Sequence, residues 1–425
     1  MNNHHLGLRP FLVALALACN LHAADWPQWR GPQRNGVSAE TGLLKEWPKE
    51  GPKLLWQTRE IGMGYAAPTV VGERIFVLGN EGLENEFVQA LSVKDGRRIW
   101  QTKLGKVGNP NQQPKFPAAR STPTVDGEVL FALGSDGDLA CVETATGKVR
   151  WQKSLRTDFG GKPGTWAYAE SPLVDGDTLV CTPGGTEATL VALNKKSGEA
   201  LWKCAVPAGE EAAYASAIVV ETDGVKQYVQ MLAKGLIGVE AKTGKILWRY
   251  GKTVSRYRAN IPSPVARGGA VFSAGSGTGG GLVRLKNSGG AWEAEEAYFS
   301  PKLPAAIGGS VLVADCLYGT GNQGLMCLDF ATGNPKWDHA SLGAASVCAA
   351  DGRLYLHGEN GEVALVESSP EAYREKGRFS PPDRPQRSQP MEKSWAYPVV
   401  ANGRLYLRDH NLLWCYDVKA AGQSQ

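Results

Sequence analysis

The chain has 425 residues, of which only 21% are charged, and its formal net charge at pH 7 is +4. It has no acidic or basic tail and no run of Lys and Arg that would follow a phosphate backbone, which excludes nucleic acid as an expected partner. The 52 Gly, 25 Pro and 13 Trp indicate a folded chain that is rich in turns.

The first 23 residues have the pattern of a signal peptide. The apolar run at residues 11–18 follows a short polar region and is too short to span a bilayer, and cleavage is predicted near Ala23. Cys19, in the letters ALAC, offers an alternative as a lipid attachment site. No later run approaches about 20 apolar residues, so no transmembrane segment is predicted and the mature chain is expected in the periplasm or another extracytoplasmic space.

The cysteines do not suggest a disulfide framework. Removal of Cys19 with the signal leaves seven, with no C-x-x-C pair. Cys141, Cys327 and Cys415 occupy the same position in three repeats, which favours small buried strand side chains over reactive thiols.

One pattern recurs along the chain: a turn containing Gly, followed four residues later by Trp. Five strict copies end at Trp100, Trp151, Trp202, Trp248 and Trp337. Short apolar runs separated by turn sequences fill each unit, which predicts four strands per repeat and a β-propeller. In the unit after Trp248 the pattern degenerates. Trp292 is out of step there, and Tyr298 or Phe299 is the expected replacement.

The two ends of the chain are expected to complete each other. Trp56 has no earlier strands to join, and the last three predicted strands lack a fourth. Pairing residues 54–58 with those strands closes the ring and removes its exposed edges. With a weak unit near Phe379, the count is eight four-stranded antiparallel blades in an all-β fold. The predicted organisation is a signal peptide (1–23), an N-terminal extension (24–53), the propeller (54–418) with a mobile Pro-rich insertion (380–393), and a tail (419–425).

The repeat and the opening letters DWPQWRGPQRNG resemble the quinoprotein alcohol dehydrogenase-like family of pyrroloquinoline-quinone (PQQ) repeat propellers. That family contains dehydrogenases and also the non-enzymatic envelope lipoprotein BamB. The resemblance covers nearly the whole mature chain and implies the propeller fold, but it does not imply a reaction.

Two positions resemble the calcium ligands beside the quinone in the enzymes of this family. They are Glu187, in GGTEAT, and Asn260, in RANIPSP, and both supply the oxygen donors that calcium prefers. An adjacent Cys pair, a recognisable catalytic Asp and a C-x-x-C-H haem motif are missing. No metal site and no cofactor are therefore assigned, and PQQ with calcium belongs to an alternative function only.

Long connections on one face of the predicted ring are the expected binding surface. The candidate residues precede the innermost strands or lie between the second and third strands: Tyr65, Arg120, Trp166, Tyr168, Glu170, Glu187, Tyr214, Arg258, Asn260, Trp395 and Tyr397. Aromatic walls with a few polar groups suit a protein loop or a small polar organic ligand. The sequence thus predicts an envelope binding or scaffold protein. The alternative is a PQQ- and calcium-dependent oxidoreductase acting on an alcohol or sugar.

Overall fold

The structure, a computed structural model, describes residues 25–387, 389 and 391–421. The predicted signal peptide and the alternative anchor at Cys19 lie outside these residues. In the described part the chain forms 33 strands and no helix. The strands form eight blades around a central channel, and the four main strands of each blade pair antiparallel, which confirms the predicted fold. A fifth, two-residue strand joins the seventh blade in parallel.

Blades 1 to 4 follow one another along the chain, and in each the first strand is innermost. Blade 1 consists of β3(Thr69–Val71), β4(Arg74–Glu81), β5(Asn85–Ser92) and β6(Arg98–Gly105), and blade 2 consists of β7(Thr124–Asp126), β8(Val129–Leu133), β9(Asp138–Glu143) and β10(Val149–Ser154). Blade 3 consists of β11(Leu173–Asp175), β12(Thr178–Cys181), β13(Leu190–Asn194) and β14(Ala200–Cys204), and blade 4 consists of β15(Ile218–Thr222), β16(Val225–Leu232), β17(Gly235–Glu240) and β18(Ile246–Tyr250).

Blades 5 to 8 continue the ring, and two N-terminal strands join the last two blades. Blade 5 consists of β19(Val265–Arg267), β20(Ala270–Gly275), β21(Gly279–Ser288) and β22(Ala291–Ser300), and blade 6 consists of β23(Ser310–Val313), β24(Cys316–Gly321), β25(Gly324–Asp329) and β26(Pro335–His339). Blade 7 consists of β27(Ala345–Ala350), β28(Arg353–Gly358), β29(Val363–Glu367) and β30(Glu375–Phe379), joined by β1(Val37–Ser38). Blade 8 consists of β31(Val399–Ala401), β32(Arg404–Asp409) and β33(Leu412–Asp417), completed by β2(Lys53–Thr58).

Ring closure occurs as predicted, because Trp56 of β2 pairs with Cys415 of β33. The seven cysteines in the described residues are all buried and unpaired, so they act as small strand side chains.

The Trp of one blade docks on the next blade, which explains its spacing from Gly. Trp151 donates its Nε1–H to the carbonyl of Lys195 at 3.0 Å. A Cβ on Gly198, three residues after Lys195, would lie only 2.9 Å from the Trp151 ring, so only glycine admits the indole at this distance. The same hydrogen bond recurs from Trp56 to Val93, Trp100 to Thr144, Trp202 to Ala241 and Trp337 to Ser369.

Three units depart from this pattern. In blade 5, Tyr298 takes the docking position and donates its hydroxyl to the carbonyl of Phe330 at 2.9 Å, as the sequence allowed. Trp248 is buried and donates to the Gln227 side chain instead. In blade 7 the outer strand ends at Phe379, and Trp47 from the N-terminal segment packs edge-on against it at 5.4 Å.

The propeller has two unlike faces. On the short-turn face, defined here by the turns that join the first strand of each blade to the second, two residues suffice at every turn of the described blades. Positive φ angles, such as 57° at Asn402 and 69° at Gly403, match the tight hairpin turns that suit twisted strands. The opposite, loop-rich face carries the connections between blades, including residues 106–123, 155–172, 251–264 and 380–398.

The central channel is filled by residues 25–40, named here the channel segment. It enters from the short-turn face, where Asp25 accepts a hydrogen bond from the backbone N–H of Gly72. Trp26 then pairs with Val70 of blade 1, and Val37 pairs in parallel with Ala349 of blade 7.

The channel segment leaves at the face by which it entered, and it touches all eight blades on the way. Its Glu40 carboxylate accepts the backbone N–H groups of Asn402 and Gly403 in blade 8. The contacts to the remaining blades are Pro27 with Val125, Arg34 with Pro172 and Ala217, Trp29 with Ser263, and Arg30 with Ser310.

Arg34 is the central clamp of the channel segment. Its guanidinium donates to the carbonyls of Ser171 at 2.8 Å, Pro172 at 3.1 Å and Ala217 at 2.8 Å. These acceptors belong to the approaches to β11 and β15, so one side chain joins blades 3 and 4. Burial lowers the pKa of Arg34 to about 10, which still leaves the group charged at neutral pH.

Candidate functional site

A cavity of about 260 Å³ opens on the loop-rich face above the channel segment. Trp29 forms its floor, where it donates to Ser263 Oγ at 3.1 Å and packs edge-on against Tyr397 at 4.6 Å. The walls come from the residues that precede the innermost strands of seven blades. The lining consists of Trp29, Tyr65, Pro114, Phe116, Arg120, Trp166, Ala169, Tyr214, Ala259, Ile261, Ile307, Met391, Trp395 and Tyr397.

Six of the candidate residues from the sequence meet in this cavity: Tyr65, Arg120, Trp166, Tyr214, Trp395 and Tyr397. Each lies just before a first strand, where the chain arrives at the ring axis. Tyr65 and Trp395 contact each other edge-on at 5.0 Å, and Trp166 lies 5.8 Å from Tyr214. The ring order of the blades therefore brings together side chains that are distant in sequence.

Arg120 supplies the one charged side chain among the lining residues. Its Nη2 donates to Gln112 Oε1 at 3.0 Å and to the Phe116 carbonyl, and its guanidinium carbon lies 5.1 Å from the centre of the Tyr65 ring. Desolvation lowers the pKa of Arg120, and it raises the pKa of Tyr65 and of Tyr214. The tyrosines are therefore neutral hydrogen-bonding groups in this apolar surrounding.

Tyr168 and Glu170 lie in the interior between blades and do not line the cavity. Tyr168 is 1% exposed and donates to the carbonyl of Pro183 at 2.7 Å. Glu170 accepts hydrogen bonds from Thr182 Oγ1 at 2.6 Å and from Gln230 Nε2 at 3.1 Å. Burial raises the pKa of Glu170 to about 7, against the hydrogen bonds from Thr182 and the opposing charge of Arg34. Both residues tie neighbouring elements together.

The two calcium candidates are not brought together as donors in the cavity. Glu187 is exposed on the loop after β12 and does not line this cavity. Asn260 is fully buried. Its Oδ1 accepts from the Ser255 backbone at 2.7 Å, and its Nδ2 donates to the carbonyls of Leu232 and Ala233. In the described residues no group of three His, Cys, Asp or Glu side chains is placed to hold a metal. This donor set does not fit a calcium–quinone site.

Arg258 lies beside a second depression, of about 820 Å³, between the loops of blades 3 and 4. Its backbone has a φ of 57°, and its side chain is exposed. Lys162 and Lys234 line the same depression, whereas Glu210 there is already paired with Arg249.

Sequence reasoning missed Trp29, Phe116 and Met391. Trp29 stood in the predicted N-terminal extension, but its neighbourhood of Trp, Pro and Gly carries no strand periodicity that would have placed it in a channel. The insertion that holds Met391 is tied to blade 8, because Arg387 forms an ion pair with Asp409 at 2.7 Å. An irregular loop gives no sequence signal for such a contact.

Among the described residues, none belongs to a helix with the length and apolarity needed to cross a membrane.

Comparison with known proteins identifies relatives of this chain. A family model described as "Outer membrane protein assembly factor BamB" matches residues 33–182 and 163–372. The Bordetella pertussis protein of that name is 25% identical over 241 residues, which cover 56% of this chain and 52% of the relative. The chain spans about half or less of the length of the curated relatives it matches.

Solved structures show the same fold. BamB from Moraxella catarrhalis superposes with a TM-score of 0.62 at 15% identity, over 86% of this chain and 99% of that one. Quinohemoprotein alcohol dehydrogenase from Comamonas testosteroni gives a TM-score of 0.52 at 12% identity, over 94% and 81%. The chain therefore belongs to the PQQ-repeat β-propeller family whose model is described as outer membrane protein assembly factor BamB.

Proposed function

We propose that this protein is a binding or scaffold protein of the cell envelope that captures a protein partner on its loop-rich face. One observation carries the proposal. The two most exposed large apolar side chains in the described residues are Tyr257, at 65%, and Met391, at 62%, and both lie on that face. Met391 also lines the aromatic cavity, so it adjoins further apolar groups on this face, and contiguous exposed apolar surface marks interaction sites.

The surroundings of Tyr257 have the composition of a protein interface. Arg256 and Arg258 flank it, both are exposed, and within the described part of the chain neither forms an ion pair with a carboxylate. Tyr and Arg are enriched where binding energy concentrates, because each combines a large contact area with hydrogen-bonding groups. The turns between the first and second strands, on the short-turn face, have two residues each and present little surface of this kind.

Two independent indications support the cellular location that we propose. The first residues have the pattern of an export signal, and the named relatives are outer membrane assembly factors. Both support an extracytoplasmic and, more specifically, a periplasmic protein. A lipid anchor at Cys19 remains the alternative form of attachment.

The test is photo-crosslinking in the organism's own envelope. A photoreactive phenylalanine at Tyr257 should give a discrete protein adduct after irradiation. The same label at Glu128, an exposed residue of the β7–β8 turn on the opposite face, should give none. Equal adducts at both positions, or none at Tyr257, would overturn the assignment of the face.

The enzyme alternative has less support. It requires calcium and PQQ held by Glu187 and Asn260, and the first is an exposed loop residue while the second has its amide committed to backbone groups. A stoichiometric quinone absorbance on the purified mature chain, after addition of PQQ and calcium and gel filtration, would reverse this ranking.

A further inference from the structure

The cavity contains a positive charge without a counter-ion. Arg120 Nε is buried and makes no hydrogen bond, and no carboxylate of the described residues lies within ion-pair distance of the guanidinium. Glu86, the acidic group that interacts with Arg120 at longer range, is itself buried, and burial raises its pKa to about 7. A guanidinium stays protonated in such a setting, so the charge is costly until an anion arrives.

The rest of the cavity is suited to a flat apolar group. Tyr65, Trp166, Tyr214, Trp395 and Tyr397 form its walls, and no Asp or Glu lines it. Tyr65 also contacts Glu392 through its hydroxyl at 3.4 Å, and the same carboxylate lies 3.4 Å from Nε2 of His410. An apolar cavity of about 150 Å³ holds benzene. At about 260 Å³, this one has room for a fused bicyclic ring.

We infer that the cavity binds a small aromatic monocarboxylate, with its ring between the aromatic walls and its carboxylate on Arg120. This inference deepens the function proposed above by naming a ligand for the same face. The site differs from one for PQQ, since that quinone carries three carboxylates and a single guanidinium pairs with one. Nη2 of Arg120 is committed to Gln112 and Phe116, which leaves Nε, without a hydrogen bond, as a donor for the carboxylate.

Matched ligands test the charge requirement without any mutation. Isothermal titration of the mature chain with 2-naphthoate should show saturable binding, and 2-naphthamide, which has the same shape and no charge, should bind at least about tenfold more weakly. Equal affinities, or no binding of 2-naphthoate, would overturn the inference. Tighter binding of PQQ with calcium than of 2-naphthoate would overturn the monocarboxylate assignment.

Variants then locate the site. Arg120→Gln should weaken 2-naphthoate binding about tenfold or more, whereas the control Arg98→Gln, on the exposed outer strand β6, should leave it unchanged. Arg120 also holds the loop at Gln112 and Phe116, so Ala169→Leu provides a second test. This variant fills the cavity from a lining position that is not a hydrogen-bond partner of the guanidinium. Full binding by Ala169→Leu would place the ligand elsewhere and refute the inference.

The outcomes separate this inference from the proposed function. A Tyr257 adduct without 2-naphthoate binding would reject only the ligand class. Binding of 2-naphthoate that requires Arg120, without a Tyr257 adduct, would reject only the protein partner.

Discussion

The rim and the channel of this propeller hold the same eight blades together by different means. At the rim, a Trp or Tyr docks on the next blade through one hydrogen bond, and the contact repeats with the sequence period. In the channel, a single segment reaches every blade through contacts that occur once each. Because the rim contact repeats, it can be predicted from the sequence. The ring also tolerates the loss of one copy, since blade 7 has no docking Trp. The channel has no such redundancy.

The largest effect should therefore come from Arg34. Arg34→Ala leaves the buried carbonyls of Ser171 and Ala217 without this donor, and the Pro172 carbonyl keeps only the hydroxyl of Thr124. Hydrogen bonds from a charged group contribute about 1.5–3 kcal/mol each, so the free energy of unfolding should fall by at least about 3 kcal/mol. Chemical denaturation monitored by circular dichroism measures this loss. A fall below about 1 kcal/mol would show that the contacts of the channel segment contribute little to the stability of the ring.

A substitution at the rim should lower the free energy of unfolding less than Arg34→Ala does. Trp151 is half-buried, so Trp151→Ala should lower the free energy of unfolding by about 2–3 kcal/mol, below the range for a fully buried aromatic side chain. Gly198→Ala tests the same contact from the other side, because its Cβ meets the indole and its φ is 74°. We expect both variants to destabilise the fold. A loss for Trp151→Ala larger than for Arg34→Ala would invert the comparison.

The smallest effect concerns the pH dependence of stability that the buried carboxylates produce. The pKa of Glu170 rises from 4.5 to about 7 on folding, so this group favours the folded state below about pH 4.5 and loses that contribution as pH rises through about 7. The melting temperature of the native chain should fall between about pH 5.5 and pH 8 more than that of Glu170→Gln. Glu86 behaves alike, with a pKa near 7, and serves as a second position for the same substitution. Parallel pH profiles for all three proteins would refute the buried-carboxylate account.

The repeated features of the fold could be predicted from the sequence, whereas the features that occur once could not. Gly–Trp spacing predicted the blade count, and Trp56 predicted the closing strand, because each follows from strand pairing. The channel segment does not repeat in the sequence, so its position inside the ring could not be predicted from its residues. Cavity residues were predicted by their position before an inner strand, but neighbours there point in different directions. Trp166 faces the cavity, whereas Tyr168, two residues later, packs between blades.

The route of the channel segment also determines on which face of the propeller a tether at a chain end is attached. Asp25 and the C-terminal end of β33 both lie on the short-turn face, and Leu43 bridges to Lys419 there. A tether at either end of the described chain, whether a lipid or an immobilisation tag, therefore pulls on the face opposite the cavity. Surface-captured protein should present its aromatic opening to the solution, which makes the molecule suitable for ligand and partner measurements in that orientation.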